Sequence, residues 1–461
     1  MKILKIQTQT QQPMTQETVP IETVFEVYQR VLHAGFFQQL SLQLGIKTAK
    51  KIFNWGVVIY GMILQRLDDK GTQHATLTRL IPCLNKFSDH KRVTEKTVSE
   101  NPGGFNRARG SLPMSVMESS FDHLFETLHR EYGGALDGRP AFLLDGSTLT
   151  LPSSPELLKA YPPASNQHGF SHWPLMRVLV AHDLRTGLAS RPAWGPACGS
   201  TAVSEQMLTA QLIPRLPAGV VLVADSNFGT FAVAQQATQA GHPIVVRLTE
   251  VRAQALGGLG LNCGVDQKVL WKPSKWDRKS HPDLPADAQI SGRLIVRRIE
   301  QNGKASKLYL FTTCEEPADE IVAIYARRWN IETDLRSLKR TVRLQTLNSK
   351  SVDMAGKELV AGVAAYNLVH AFMEAAAREA GLEPRELSFS YAQDHVFASL
   401  PALMDATSPD ETREQLQRLL RNIAACKLPE RKKRRSYPRK IWLRRSSFPK
   451  YPTKRRVVKN D

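Results

Sequence analysis

The sequence predicts an α/β fold: a sheet buried between helices, a helical region before it and a strand-rich insertion within it. Three observations carry this prediction. Ala141-Phe-Leu-Leu-Asp145 and Gly219-Val-Val-Leu-Val-Ala-Asp225 are apolar runs without alternation, each carrying a single acid. Continuous Val/Leu runs of this kind are strands covered on both faces, as in the middle of a sheet. Residues 21–133, in contrast, show helical periodicity with no strand alternation, and residues 250–316 hold short strand-like pieces separated by Pro, Gly and Asp.

In chain order, residues 1–20 are Gln/Thr-rich and read as a disordered N-terminus, with no apolar h-region of a secretory signal. Residues 21–134 read as a helical domain, with Val24, Val27, Tyr28 and Val31 at helical spacing and a second helix from Ile52 to Leu67. Asn101-Pro-Gly-Gly-Phe-Asn-Arg-Ala-Arg109-Gly interrupts it. Phe105, Arg107 and Arg109 are candidate DNA contacts there, a basic surface loop before a helix being an equal alternative. Tyr132–Pro140, rich in glycine, marks a boundary. Strands follow at 141–151, 174–183 and 187–194, then a helix at 203–216, a strand at 219–225, a helix at 230–240 and a strand at 243–249. Three strands, a helix and a strand ending in Asp is the ribonuclease-H-like order, so residues 135–426 read as such a domain, interrupted at 250–316 by the β-rich insertion (Lys268–Trp271, Gly292–Ile299, Lys307–Thr313). Trp271 and Trp276 lie in that insertion, to stack on a flipped base or simply to pack. Leu359–Ala380 is apolar on most of its surface and reads as a buried helix; Asp410–Ala425 is a further helix before the tail at 427–461.

The acids supply the chemistry. A lone carboxylate at or near a strand's carboxyl end stands where open α/β sheets bind ligands, and an Asp in such a core needs a cation or several hydrogen bonds. Asp-Gly at 145–146 and Asp-Ser-Asn-Phe-Gly at 225–229 also read as ordinary turns. Further on, Tyr325 to Lys339 reads as one helix. At about 100° per residue, Tyr325, Arg328, Glu332, Arg336 and Lys339 share one stripe, and Ile324, Ile331, Leu335, Leu338 and Val342 an adjoining apolar one. A carboxylate among cations and a phenol suits a metal ion gripping a phosphodiester; the plain alternative is a solvated face with a Glu332–Arg336 pair. Three carboxylates can hold two divalent ions about 4 Å apart, which activate the attacking oxygen and stabilise the leaving one without a histidine base. His168 and His172 are four apart, but Gly169 and Pro174 argue against a helical zinc pair, and the five scattered cysteines form no Cys-x-x-Cys.

The spacing of Tyr325, Arg328, Glu332 and Lys339, after two strand-borne aspartates, resembles the signature of bacterial cut-and-paste transposases of the fourth insertion-sequence family. That resemblance implies a ribonuclease-H-like catalytic domain with an Asp-Asp-Glu metal site at Asp145, Asp225 and Glu332, using Mg²⁺ or Mn²⁺. It implies that Tyr325, Arg328 and Lys339 position DNA phosphates, that the helical N-terminal domain binds DNA, and that the insertion is β-rich. The implied partners are double-stranded DNA, both terminal inverted repeats and target, and a second copy of the chain as a homodimer in the synaptic complex. A host nuclease of the same fold and a non-catalytic DNA-binding regulator are the alternatives.

Charge agrees with a nucleic-acid substrate. The net charge is +19 with a pI near 9.8. Residues 427–461 hold fifteen Lys or Arg against Glu430 and Asp461, so only +6 remains for the rest of the chain. Such a tail is an electrostatic phosphate binder by composition. Asn367, His370 and Glu374 interrupt the longest apolar run, so no transmembrane span is expected, and the unpaired cysteines point to a reducing cytoplasm, in a nucleoid-associated role.

Overall fold

The computed structural model describes residues 31–429 apart from 32, 48–50, 69–70, 134–139, 167–168 and 302–303. The Gln/Thr-rich start, the helix around Val24–Tyr28, most of the glycine-rich boundary, His168 and the tail from residue 430 lie outside the described residues.

The first helices are α1 (Ala34–Leu44), α2 (Trp55–Leu67), α3 (Gln73–Leu80), α4 (Lys91–Thr94), α5 (Pro102–Ser111) and α6 (Met114–Tyr132). The break anticipated at 101–110 is in fact helix α5. Asn101 caps it by accepting the Gly103 N–H, and Pro102 takes the first helical position, where its missing N–H costs nothing. This turns Phe105 and Arg109 inward: Phe105 is fully buried, and Arg109 is buried against Glu358 at 3.5 Å. They are core residues and not DNA contacts; of the three candidates only Arg107 is exposed.

The sheet strands are β1 (Ala141–Thr150), β2 (Pro163–Asn166), β3 (Gly169–Asp183), β4 (Ala193–Pro196), β5 (Val221–Ala224), β6 (Ile244–Arg247), β7 (Asp266–Trp271), β8 (Ile290–Gln301) and β9 (Lys304–Thr312). Between them run α7 (Pro155–Ala160), α8 (Glu205–Leu212), α9 (Phe231–Gln239), α10 (Glu250–Gly257) and α11 (Lys275–Ser280). The sheet order is β2-β3-β1-β5-β6-β9-β8-β7, with β4 against β3. β1, β5 and β6 are parallel neighbours, and their Val/Leu runs are buried throughout the paired stretch. β3 pairs antiparallel with β1, and β9 antiparallel with β6. The insertion strands therefore continue the central sheet. The strand expected at 187–194 shrinks to a bridge at Ala189 and to β4, because the chain first turns back through Gly187 at φ 83°.

After the sheet come α12 (Ala318–Ala326), α13 (Asn330–Arg336), α14 (Val352–Ala380), α15 (Phe389–Asp405) and α16 (Pro409–Ala425). α14 is long and apolar enough to cross a membrane, yet 94% of its most apolar window is buried inside the protein. It is the core helix on which α2 and α6 pack, so the described helices and sheet up to Lys427 share one compact unit. Three of its polar residues are matched inside the core: Glu358 takes Arg66 and Arg109, Glu374 takes Arg185 and Arg378, and Asn367 bonds both backbone groups of Ala189.

Candidate active site

The parallel register of β1 and β5 pairs Leu144 with Ala224. The next residue on each strand is the acid, so Asp145 and Asp225 emerge side by side where the two strands part. Burial pushes the Asp145 carboxyl up to about 6. The charges of Asp225 and Glu205 add to that rise, and the Gly146 N–H at 2.8 Å and the Arg328 guanidinium offset only part of it. Asp225 also heads a turn, its Oδ1 accepting the Asn227 N–H at 2.8 Å. The turn and the site are thus the same geometry.

The stripe expected on one long helix does not survive as a single face. Arg327–Trp329 is a 3₁₀ turn and Ser337–Thr341 a π turn, with α13 between them. These turns step by angles other than 100°, so the segment is not one continuous helical face. The apolar anchors hold: Ile331, Leu338 and Val342 are buried. The phenol of Tyr325 is buried too, and burial pushes its pKa up; Arg328 and Arg247 pull it down, while the nearby Asp225 carboxylate pushes it further up. Lys339 Nζ donates to Ser147 Oγ at 2.9 Å, two residues past Asp145 on β1. Tyr325, Arg328 and Lys339 therefore converge on the aspartates.

Glu332 is exposed on α13, which packs against β1, and among the described residues no ion pair joins it to Arg336. Among the described residues no three acids stand close enough to ligate one ion. The aspartates themselves fit a divalent cation well: two hard oxygen donors on adjacent strands repel each other, and a cation removes that repulsion. Completing a three-acid set requires Glu332 to turn inward.

Two residues at this site were not singled out from the sequence. Glu205, at the start of α8, accepts from Asn227 Nδ2 at 2.7 Å and lies 3.6 Å from Arg177 Nη1. Gly146 makes room for it, since a Cβ there would run into its carboxylate. In the sequence it reads only as an acid complementing a helix N-terminus. Arg247 ends β6 and lines a cavity of about 320 Å³ beside Asp225, together with Ser226, Thr249 and Tyr309. Its place at the end of a Val-Val-Arg strand was the one clue to it.

The family model described as "Transposase DDE domain" matches residues 137–368, from just before β1 to the middle of α14. The chain belongs to this transposase family. Transposase InsG for insertion sequence element IS4 from Escherichia coli (strain K12) is similar, at 26% identity over 329 residues, covering 70% of this chain and 72% of that relative. A DDE transposase is an enzyme that acts on DNA with divalent metal, which sets aside both the host-nuclease and the non-catalytic alternatives. In the insertion, Trp271 meets Phe311 and Phe231 edge-on and serves packing, whereas Trp276 on α11 is 65% exposed. None of the five cysteines is in a disulfide.

Proposed function

We propose that this transposase cleaves the ends of its insertion sequence and joins them to target DNA by cut-and-paste phosphoryl transfer, with Asp145, Asp225 and Glu332 holding Mg²⁺ or Mn²⁺. The observation that carries this reading is the pairing of Asp145 and Asp225 on adjacent parallel strands, with Arg328 beside them and Lys339 on Ser147. A divalent ion bound there supplies Lewis-acid activation of the attacking oxygen and charge for the leaving 3′ oxygen. The chain's own residues do the rest. The aspartates fix the reacting phosphodiester relative to the sheet. Arg328 offers a two-pronged grip on phosphate oxygens that a lysine does not, and Lys339 a point charge. Tyr325, kept protonated by burial, donates a hydrogen bond to a phosphate oxygen. The partners in this reading are terminal-repeat and target duplexes, a second copy of the chain at synapsis, and a cytoplasmic, nucleoid-associated setting.

The test is a set of single substitutions. Asp145→Ala, Asp225→Ala and Glu332→Ala should each lower end cleavage by roughly a thousandfold or more, and a double variant should lose little beyond a single one, because the acids act as a unit. End binding should stay within about threefold of wild type, since phosphate contacts come from cations. Full cleavage by any one variant removes that acid from the site.

A further inference from the structure

Asp225 leaves β5 straight into the turn that ends at Gly229, and two sets of contacts hold that turn. In the first, Phe228 is fully buried, and Arg252 on α10 donates from Nη1 to the carbonyls of Ser226 at 3.2 Å and Gly229 at 3.0 Å. The second set centres on Asn227. Its N–H donates to Asp225 Oδ1 at 2.8 Å, its Nδ2 donates to Glu205 Oε2 at 2.7 Å, and its carbonyl accepts Gln206 Nε2. The first two residues of α8 thus hold Asn227 by its side chain and its carbonyl, and Asn227 holds Asp225 by its amide.

Glu205 is itself fixed. Arg177 Nη1 lies 3.6 Å from Glu205 Oε1, and Arg177 stands opposite Thr148 of β1 in the β1–β3 register. The Glu205 carboxyl also occupies the space that a Cβ on Gly146 would take. An acid that only complements a helix N-terminus needs no such place, since any first-turn position open to water serves. Here the Glu205 charge adds to the burial that pushes Asp145 up, a cost that the grip on Asn227 offsets.

We propose that Glu205 is a positioning residue for the metal site: acting through Asn227, it orients the Asp225 carboxylate toward the divalent ion. The proposal rests on Asp145 and Asp225 holding that ion. A carboxylate with one oxygen held by a hydrogen bond turns less freely, so its other oxygen is aimed at one place. Without the grip of α8, the turn keeps Arg252 and Phe228, but the amide that fixes Oδ1 is released. Hydrogen-bond partners one step behind a metal ligand typically set about 10- to 100-fold of metal affinity or activity.

The experiment counts free Mn²⁺ by electron paramagnetic resonance, with the full chain on a precleaved element-end duplex, and Asp225→Ala on the same duplex gives the background. Glu205→Ala and Asn227→Ala should each weaken Mn²⁺ binding by about tenfold or more, and the double variant should be no weaker than either single one, because both act through one link. Glu205→Gln keeps an oxygen that accepts from Asn227 and should stay within about threefold of wild type. In cleavage of uncut ends, the Mn²⁺ concentration for half-maximal rate should rise by the same factor in both Ala variants, while the rate at saturating Mn²⁺ recovers. A purely structural defect would instead lower the rate at every Mn²⁺ concentration. Wild-type affinity in Asn227→Ala overturns the proposal, and so does a Glu205→Gln variant as weak as Glu205→Ala, which would make the charge and not the hydrogen bond the active feature. If Asp225→Ala binds Mn²⁺ as wild type does, the metal-site reading fails; if it loses the ion while Glu205→Ala and Asn227→Ala keep it, the positioning role alone fails.

Discussion

Asp145 is under two opposed demands: burial beside Asp225 and Glu205 favours its neutral form, and holding a cation needs its charge. The folded-state value near 6 lies above the ordinary carboxylate value of 3.8. An acid raised on folding contributes stability that is present below about pH 4 and is lost as pH rises through about 6. The metal-free protein should therefore be stabilised by Asp145→Asn at pH 7, with the gain vanishing near pH 4, as read by thermal unfolding in chelator. A variant no more stable than wild type at pH 7 would mean that Asp145 is not under this strain. The aspartates were legible as residues from their apolar runs. Glu205 was not, because its effect on Asp145 exists only once α8 is set against Gly146, some sixty residues away in sequence.

The segment that presents Glu332 is held by a neighbour the spacing did not reveal. Asp334, two residues on, is buried and takes a two-pronged ion pair from Arg385 at 2.9 and 3.1 Å. Burial by itself would push Asp334 up, and Arg385 brings it below the usual carboxylate range. Arg385 also donates to the carbonyls of Asp183 and Leu184, tying α13 to the end of β3. Removing one partner of such a pair leaves a buried charge, so Arg385→Ala should cost about 3–5 kcal/mol of stability by chemical denaturation, whereas Asp334→Leu with Arg385→Met should recover much of it. A cost below about 1 kcal/mol would mean that the pair does not anchor this element. Strands and helices were legible wherever apolar runs were long, and were misread where a local breaker intervened. Pro102 disguised α5, and Pro401, inside α15, hid that helix altogether.

Of the net charge of +19, +13 falls in residues 427–461 of the sequence. Lys427 still pairs with Leu387 in an antiparallel bridge, and the Cys426 carbonyl accepts the Ser388 N–H at 2.7 Å. A truncation after Pro429 thus spares the compact unit while removing most of the basic tail. It should weaken binding to element ends and to unrelated duplex by similar factors, and flatten the salt slope by nearly one unit for each phosphate that the tail no longer neutralises. An unchanged slope would mean the tail does not touch DNA. A weakening restricted to element ends would make it a reader.

The identities of the acids and cations, the buried parallel strands and the family signature were all written in the chain itself, because periodicity and spacing are local properties. Which of those residues meet was decided by the tertiary structure alone. Asp145 and Asp225 are eighty residues apart and become neighbours only through the β1–β5 register. Among Phe105, Arg107 and Arg109, the pattern looked alike for all three, and only the packing of α5 on the core left Arg107 exposed and sent the others inside. Glu332 stayed on a helix, α13, but 3₁₀ and π turns on either side of it replace the single long helix that the stripe assumed. Burial and hydrogen bonding are summed over the whole fold, and a single segment does not carry that sum.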